Sequence, residues 1–353
     1  MSGARRTIAC VLVGLGALLL AAAVMIPTYT VGKVGKTPLD LKITTIARSV
    51  PGEDSMVLDS KSLTSPEGAA RVETDVPLFS QRYLTVEEPS GAEQMTIQAG
   101  QTLSRTDIDG AAGLLTASID RVTIDRISGE PIDASPNGSI AVLNKDGTPL
   151  ADESQRVGLQ YRFPIGTEKK SYPYFDLNAR ATYDMEFVEE TEINGMPVYY
   201  FKQTVPVTNM WDVIESPTHK LTLPAAKWGL EGEEPVTMTR FYTNTRDVWV
   251  EPKTGTVIKG GEQLHLFYGR SADQVDVTAL KSHLVFDEPT IESQMAVAQD
   301  SIDKLSLFGS TLPIILGVLG GVSIIAGVVL GILSGRGRGR LIDPPTERFD
   351  RNL

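Results

Sequence analysis

Two runs of the chain, Thr7 to Ile26 and Leu312 to Leu333, contain no charged side chain, and the stretch between them is distinctly polar. At a rise of about 1.5 Å per residue, runs of this length reach about 30 Å, enough to cross a hydrocarbon core. The pattern therefore predicts transmembrane helices over residues 7–27 and 312–333, with an intervening domain over residues 28–311. Residues 1–6 and 334–353 remain as short polar ends. Arg5, Arg6 and the small residues Ala21 to Ala23 also fit a signal peptide. However, the apolar run exceeds the roughly 7 to 15 residues usual for a signal, and Pro27 closes it without a clear cleavage pattern. An uncleaved anchor is expected.

Between the spans the readable pattern is strand and turn. Arg180 to Ile193 and Pro197 to Val207 are rich in Tyr, Phe, Val and Thr, and Asn194-Gly195 between them is a strong hairpin signal. Val236 to Glu251 and Thr256 to Tyr268 form a second pair around Pro252-Lys253-Thr254-Gly255, where Pro presets φ and Gly accepts positive φ. Leu114 to Ile127 and Ser139 to Leu143 are further strands, ended by Ser128-Gly129-Glu130-Pro131 and Lys145-Asp146-Gly147. The fold class predicted is α+β: a β-rich, mainly antiparallel domain flanked by two transmembrane helices. No long Pro, Gly or Ser tract divides the domain. Ser49 to Ser55 and Glu87 to Gly91 are the nearest approaches to a boundary, and one continuous domain is expected.

Just before the second span the period changes. Ile291, Met295, Ala298, Ile302 and Leu305 follow one another at helical spacing. Pro289 suits a first turn, with Asp287 or Glu288 favouring that end, so a membrane-proximal helix is predicted over residues 289–306. Its stripe either packs on the sheet, pairs with a copy of itself, or runs rigidly into the second span.

Charge adds direction. The chain has 33 Lys and Arg against 44 Asp and Glu, a net charge of −11, but seven of the basic residues and only three of the acids lie outside the spans' intervening segment. That segment thus holds 26 basic and 41 acidic side chains, a net of −15. Such a balance excludes a nucleic-acid partner, whose main attraction is phosphate neutralisation by Lys and Arg. Arg336, Arg338 and Arg340 follow the second span closely, whereas Asp300, Asp303 and only Lys304 precede it. The positive-inside rule places that end in the cytoplasm. Two spans then place both termini there and the acidic domain outside the plasma membrane. The single cysteine, Cys10, lies within the first span, so the exported part has no disulfide, which points to a bacterial envelope. Asn137-Gly138-Ser139 matches a glycosylation acceptor but reads as a turn.

Catalytic signals are weak. His219, His265 and His283 have no metal-ligand spacing, and no nucleophile elbow or phosphate loop is present. Glu189-Glu190 and Glu233-Glu234 read as solvated charge rather than an acid/base pair. No enzyme activity, metal or cofactor is expected. The densest aromatic run, Tyr161 to Asp176, contains Tyr161, Phe163, Tyr172, Tyr174, Phe175 and Asp176. With Trp249 it either packs a sheet end or forms a rigid patch for a ligand or partner. Gly317 and Gly321, then Gly327 and Gly331, stand four apart in the second span and are candidates for helix packing, on the first span or on a second copy.

Several of these segments resemble one family. They are Ile26-Pro27-Thr28-Tyr29, Lys36-Thr37-Pro38-Leu39-Asp40, Gly166-Thr167-Glu168-Lys169-Lys170 with Tyr172-Pro173-Tyr174-Phe175-Asp176, and Trp249-Val250-Glu251-Pro252-Lys253-Thr254-Gly255, with Lys304-Leu305 ahead of the last span. Together they are similar to an actinobacterial two-span membrane protein family of unknown function, labelled the porin PorA family. The resemblance covers nearly the whole chain and implies a plasma-membrane protein with a β-rich exported domain; it carries no catalytic residues. The porin label sits uneasily with the residues, because two apolar helices cannot line a water-filled path alone, and the strands lack the lipid-facing band of a membrane barrel. A pore would require an oligomer. In layout only, two terminal spans around a β-rich domain also resemble the class B scavenger receptors, whose ectodomain has a lipid-conducting tunnel.

The leading expectation is a non-enzymatic envelope protein whose exported domain binds or passes lipid, or scaffolds envelope partners. Membrane lipid, a second copy of the chain or other envelope proteins are the expected partners. An oligomeric porin-like channel subunit is the alternative, and an enzyme acting on envelope polymers the third.

Overall fold

In the computed structural model, residues 2–143 and 149–335 are described. The predicted turn Lys145-Asp146-Gly147 and the basic tail with Arg336, Arg338 and Arg340 lie outside these residues. The chain divides into two compact units, Met1–Val34 with Asp303–Leu353, and Gly35–Ile302. The division falls at the ends of the apolar helices and not at Ser49 to Ser55 or Glu87 to Gly91, which are connections inside the sheet unit.

The first unit is built on α1 (Ser2–Val34) and a later helix, Leu312–Gly335, which is preceded by a π-helical turn over Leu307–Thr311. Each is long and apolar enough to cross a membrane. Helix α1 runs past Pro27 to Val34, with Thr28 Oγ1 donating to the carbonyls of Val24 and Met25 around the proline. The two helices pack antiparallel. Gly331 lies beside Ala9, Gly327 beside Val13, and Gly320 beside Gly16 and Leu20. Antiparallel packing brings the C-terminal end of α1 and the start of the Leu312–Gly335 helix to one end of the pair.

The second unit is one antiparallel sheet of 15 strands. In chain order these are β1 (Lys42–Ser49), β2 (Met56–Asp59), β3 (Arg71–Glu73), β4 (Leu78–Glu87), β5 (Gln94–Arg105), β6 (Leu114–Asp125), β7 (Gly138–Leu143) and β8 (Pro149–Ser154). They continue with β9 (Tyr172–Asp176), β10 (Ala181–Ile193), β11 (Met196–Asn209), β12 (Lys220–Pro224), β13 (Pro235–Glu251), β14 (Thr256–Gly269) and β15 (Val277–Phe286). The path β8-β7-β6-β5-β4-β1-β15-β14-β13-β11-β10-β9 is two meanders joined where the first strand meets the last, with Ala47 opposite Phe286 and Ser49 opposite Leu284. Strand β15 is completed at its other end by β2, Leu280 facing Val57.

Alternation of side chains builds the core. In β5, Met95, Ile97 and Ala99 point inward and are buried, and they pack with Val122 and Ile124 of the adjacent β6. A larger cluster draws Leu78, Leu103, Val205, Tyr242, Leu264 and Leu280 from both meanders. Strands this distant along the sheet share one core only because the sheet curls on itself, as the right-handed twist of strands favours.

Helix α2 (Glu288–Ser306) covers one outer face. Asp287 caps it, accepting from the backbone N–H and the hydroxyl of Thr290 at 3.1 and 2.7 Å. Ile291 and Ala298 are buried on Met196, Val198 and Ile258. The predicted stripe thus packs on the sheet through Ile291, Met295 and Ala298.

Candidate functional site

The interior of the curled sheet contains charge. Arg156, whose side chain is fully buried, makes a bidentate pair with Asp120 at 2.5 and 2.9 Å. The same carboxylate accepts from Gln160 and, at 2.5 Å, from the Tyr161 hydroxyl. The Arg156 guanidinium lies 5.0 Å from the centre of the Phe175 ring. Burial, with Asp120 beside it, pushes the Tyr161 phenol well above its ordinary range, so it stays a donor.

A second network lies on the same interior. Arg246 donates to Asp176 at 3.0 Å, to Glu262 at 2.8 Å and to Gln203 at 2.5 Å. Asp176 is fully buried and also accepts from the Tyr242 hydroxyl and from the backbone N–H groups of Asn178 and Ala179. Burial opposes the charge on Arg246, yet Glu262 and Asp176 hold its pKa well above the ordinary value. Burial likewise opposes the Glu262 carboxylate, but Arg246 and Arg82 keep it below the usual carboxylate range. Tyr174 links the networks, its hydroxyl donating to the carbonyl of Gln160 and its own carbonyl accepting from Gln203. Every one of these charges is paired, which is what a buried ion requires to persist. Such an arrangement holds strands in place and leaves no free acid or base.

The aromatic run is spent on this interior. Phe163, Tyr172, Tyr174 and Phe175 are buried, and the Phe163 ring centre stands 5.5 Å from Tyr172 and 4.8 Å from Phe201. Of the run's candidates for a ligand or partner patch, these four are core, Asp176 belongs to the Arg246 network and Tyr161 to the Asp120 network. The cause is that residues 159–166 fold inward, Leu159 bridging to Tyr174 of β9 and Phe163 to Gly255. Gly255 is obligatory there: its φ is +70°, and a Cβ would strike the carbonyl oxygens of Phe163 and Pro164. Trp249 stands apart, on the opposite face of the sheet, stacked on Tyr200 at 4.8 Å with the Lys259 ammonium over it at 4.9 Å.

Other expectations are also relocated. Asn137-Gly138-Ser139 is not a turn: Gly138 and Ser139 open β7. The Asn137 side-chain amide is buried, donates to the carbonyls of Ile132 and Arg156 and accepts from the N–H of Arg156. In the helix pair, Gly327 and Gly331 face α1, but Gly317 and Gly321 have open space where a side chain would start. Gly320 takes the close approach instead, a Cβ there meeting Gly16 and Leu20 of α1. The three histidines do not converge: His219 Nδ1 lies 3.0 Å from the carbonyls of Met210 and Ile214, His265 bonds Thr278, and His283 pairs with Glu53. Glu190 pairs with Lys169 on the surface. Among the described residues no group of His, Cys, Asp and Glu could hold a metal ion.

Sequence reasoning missed Asp120, Arg156, Arg246 and Glu262. The signal available was weak: Arg246 shares the parity of buried Tyr242 and Asn244 along β13, a charge at an inward position. It also missed a cleft of about 310 Å³ where the two predicted hairpin turns meet α2, lined by Met196, Pro197, Pro252, Lys253, Met295 and Ile302 among others.

Two apolar helices and a single antiparallel sheet unit define a β-sheet protein with helices suited to anchoring in a membrane. Its kinship follows from comparison with known proteins: the family model for Porin PorA matches residues 8–329, and the chain belongs to that family. A Porin PorA of Corynebacterium amycolatum is 31% identical over 381 aligned positions, covering 92% of this chain and 98% of the relative. A Porin PorA of Corynebacterium resistens is 28% identical, covering 93% of this chain and 97% of the relative.

Proposed function

We propose that this chain is a non-enzymatic envelope protein, held in the plasma membrane by two helices, whose sheet unit stands outside and acts as a binding and scaffolding domain. The observation that carries this reading is the use of the interior charges: Arg156, Asp120, Arg246, Asp176 and Glu262 are committed to one another. A carboxylate acting as general acid or base needs access to a substrate proton, and an apolar lipid passage needs an interior without paired ions. Scaffolding needs neither. The antiparallel helix pair supports a two-pass anchor with both termini on one side, and the arginines after the second span support that side being the cytoplasm.

The second reading, an oligomeric porin-like channel, is favoured by the names of the relatives. The uncharged runs Thr7 to Ile26 and Leu312 to Leu333 give one copy no polar lining. Planar-bilayer recording of the purified chain, separated into monomer and larger species, tests both. The scaffold reading expects no current from either, and stepwise current from the larger species alone would replace it with the channel.

A further inference from the structure

We infer that the cleft between the two hairpin turns and the end of α2 takes up an anionic membrane lipid, its acyl chain on the apolar floor and its headgroup at Lys253. The inference rests on the membrane anchoring proposed above and not on the scaffolding role.

The cleft is amphipathic in a directed way. Met196, Pro197, Pro252, Met295 and Ile302 provide an apolar lining, and two unbranched methionines let it adapt to a flexible chain. A volume of about 310 Å³ falls at the lower end of the range for small-molecule sites. At the mouth, the Lys253 ammonium is exposed and joins no ion pair among the described residues. Glu251, which also lines the cleft, forms no ion pair with it. Glu251 is buried and accepts from the N–H of Lys253 at 3.0 Å, the N–H of Thr254 at 2.8 Å and the Thr254 hydroxyl at 2.6 Å. An exposed, unpaired ammonium beside an apolar hollow matches a molecule with an anionic head and an apolar body. Inorganic anions lack the body, and they would find no buried donors on this floor.

The position within the sheet unit points the same way. Where the chain enters the unit, Thr37 donates to the carbonyl of Arg126; the next residue, Ile127, accepts from Ile165, and Gly166 donates to the carbonyl of Lys253. Where the chain leaves, Ile302 lines the cleft itself. Both covalent connections to the apolar helices thus depart from the end of the unit that carries the cleft. Leu312 begins the second span ten residues beyond Ile302, a reach of at most about 35 Å. Bilayer lipid is therefore the amphiphile within reach.

Native mass spectrometry of the full chain in detergent, titrated with phosphatidylglycerol or with phosphatidylcholine of the same acyl chains, tests this. The expected result is one tightly retained phosphatidylglycerol, preferred by about fivefold, the effect of one lysine at an anionic lipid surface. Lys253→Glu abolishes the preference, Ile302→Asp weakens retention of both lipids, and Lys61→Glu, an equal charge change elsewhere, alters neither. Circular dichroism on each variant separates a folding defect from a binding defect. Equal retention of the two lipids by the wild type, or a preference that survives both Lys253→Glu and Ile302→Asp, overturns the inference. Displacement of the lipid by inorganic phosphate would make it an anion site, and a dimer lost in both variants would make it a contact between copies; either result overturns it too. The measurement is independent of which side of a membrane the sheet faces, so an inverted topology would overturn the proposed sidedness while leaving the anchoring and this result standing.

Discussion

Gly16 and Gly320 meet backbone to backbone: a Cβ on Gly320 would lie 2.9 Å from the carbonyl oxygen of Gly16, and one on Gly16 would lie 2.7 Å from that of Gly320. Real Cβ atoms do not come that close. The helix pair is therefore specified by missing side chains, the usual means by which apolar helices pack where no hydrophobic force separates them from lipid.

This geometry predicts a cross-link. A Cβ on Gly331 would stand 4.0 Å from that of Ala9, within the roughly 3.5–4.5 Å required for a disulfide. In a Cys10→Ser background, Ala9→Cys with Gly331→Cys should oxidise to a compact, fast-migrating band on a gel. Adding Gly320→Ile should remove it. A cross-link undiminished by Gly320→Ile would mean that another contact holds the pair.

The buried pair of Arg156 and Asp120 predicts an asymmetric mutational response. Asp120→Asn leaves the guanidinium without its charge partner and should cost about 3–5 kcal/mol in urea unfolding of the sheet unit. Replacing both, as Asp120→Leu with Arg156→Met, should cost much less, since no ion is then left unpaired. Additive losses would contradict the coupling.

Asn244 makes the opposite prediction. Its side chain is buried on the face shared with Arg246, and neither amide atom has a partner among the described residues. Asn244→Leu keeps the volume and removes the unmet polar atoms, so it should be neutral or raise stability by about 1 kcal/mol. A large loss on thermal denaturation would show that the amide is engaged.

Legibility in the sequence followed the range of the interactions. Asn194-Gly195 and Pro252 to Gly255 announced their turns because turn chemistry is local, and α2 announced itself through the period of Ile291, Met295 and Ala298. The pairing of β1 with β15 was not legible, since it joins residues more than two hundred positions apart and no residue type encodes it. Arg156 follows Glu153-Ser154-Gln155 and reads as solvated; only the curled sheet brings Asp120 to it. Similarly, the run from Phe163 to Phe175 carries the aromatic density of a binding patch, and its burial depends on an inward fold of residues 159–166 set by Gly255. The spacing of Gly317 and Gly321 was visible, but the partner face is chosen by register with Ala9, Val13 and Gly16.

Acid should loosen the sheet unit. Burial lowers the pKa of His219 below its ordinary value of 6.5, with Arg240 and Arg180 adding to the effect against its backbone hydrogen bonds, and burial with Lys281 lowers His265. A histidine with a depressed folded pKa binds its proton less well folded than unfolded. Its contribution is complete above about pH 6.5 and declines as pH falls through the folded pKa. Unfolding midpoints should therefore drop between pH 7 and pH 5, and His219→Gln should flatten that slope. A slope unchanged in His219→Gln would assign the acid sensitivity elsewhere.

The sidedness of the sheet unit is tested most directly by thiol labelling in intact cells. In a Cys10→Ser background, a cysteine at exposed Lys61, as Lys61→Cys, should react with a membrane-impermeant maleimide without permeabilisation, whereas Ser2→Cys should react only after it. Protection of Lys61→Cys until the membrane is opened would contradict an exported sheet anchored by two helices.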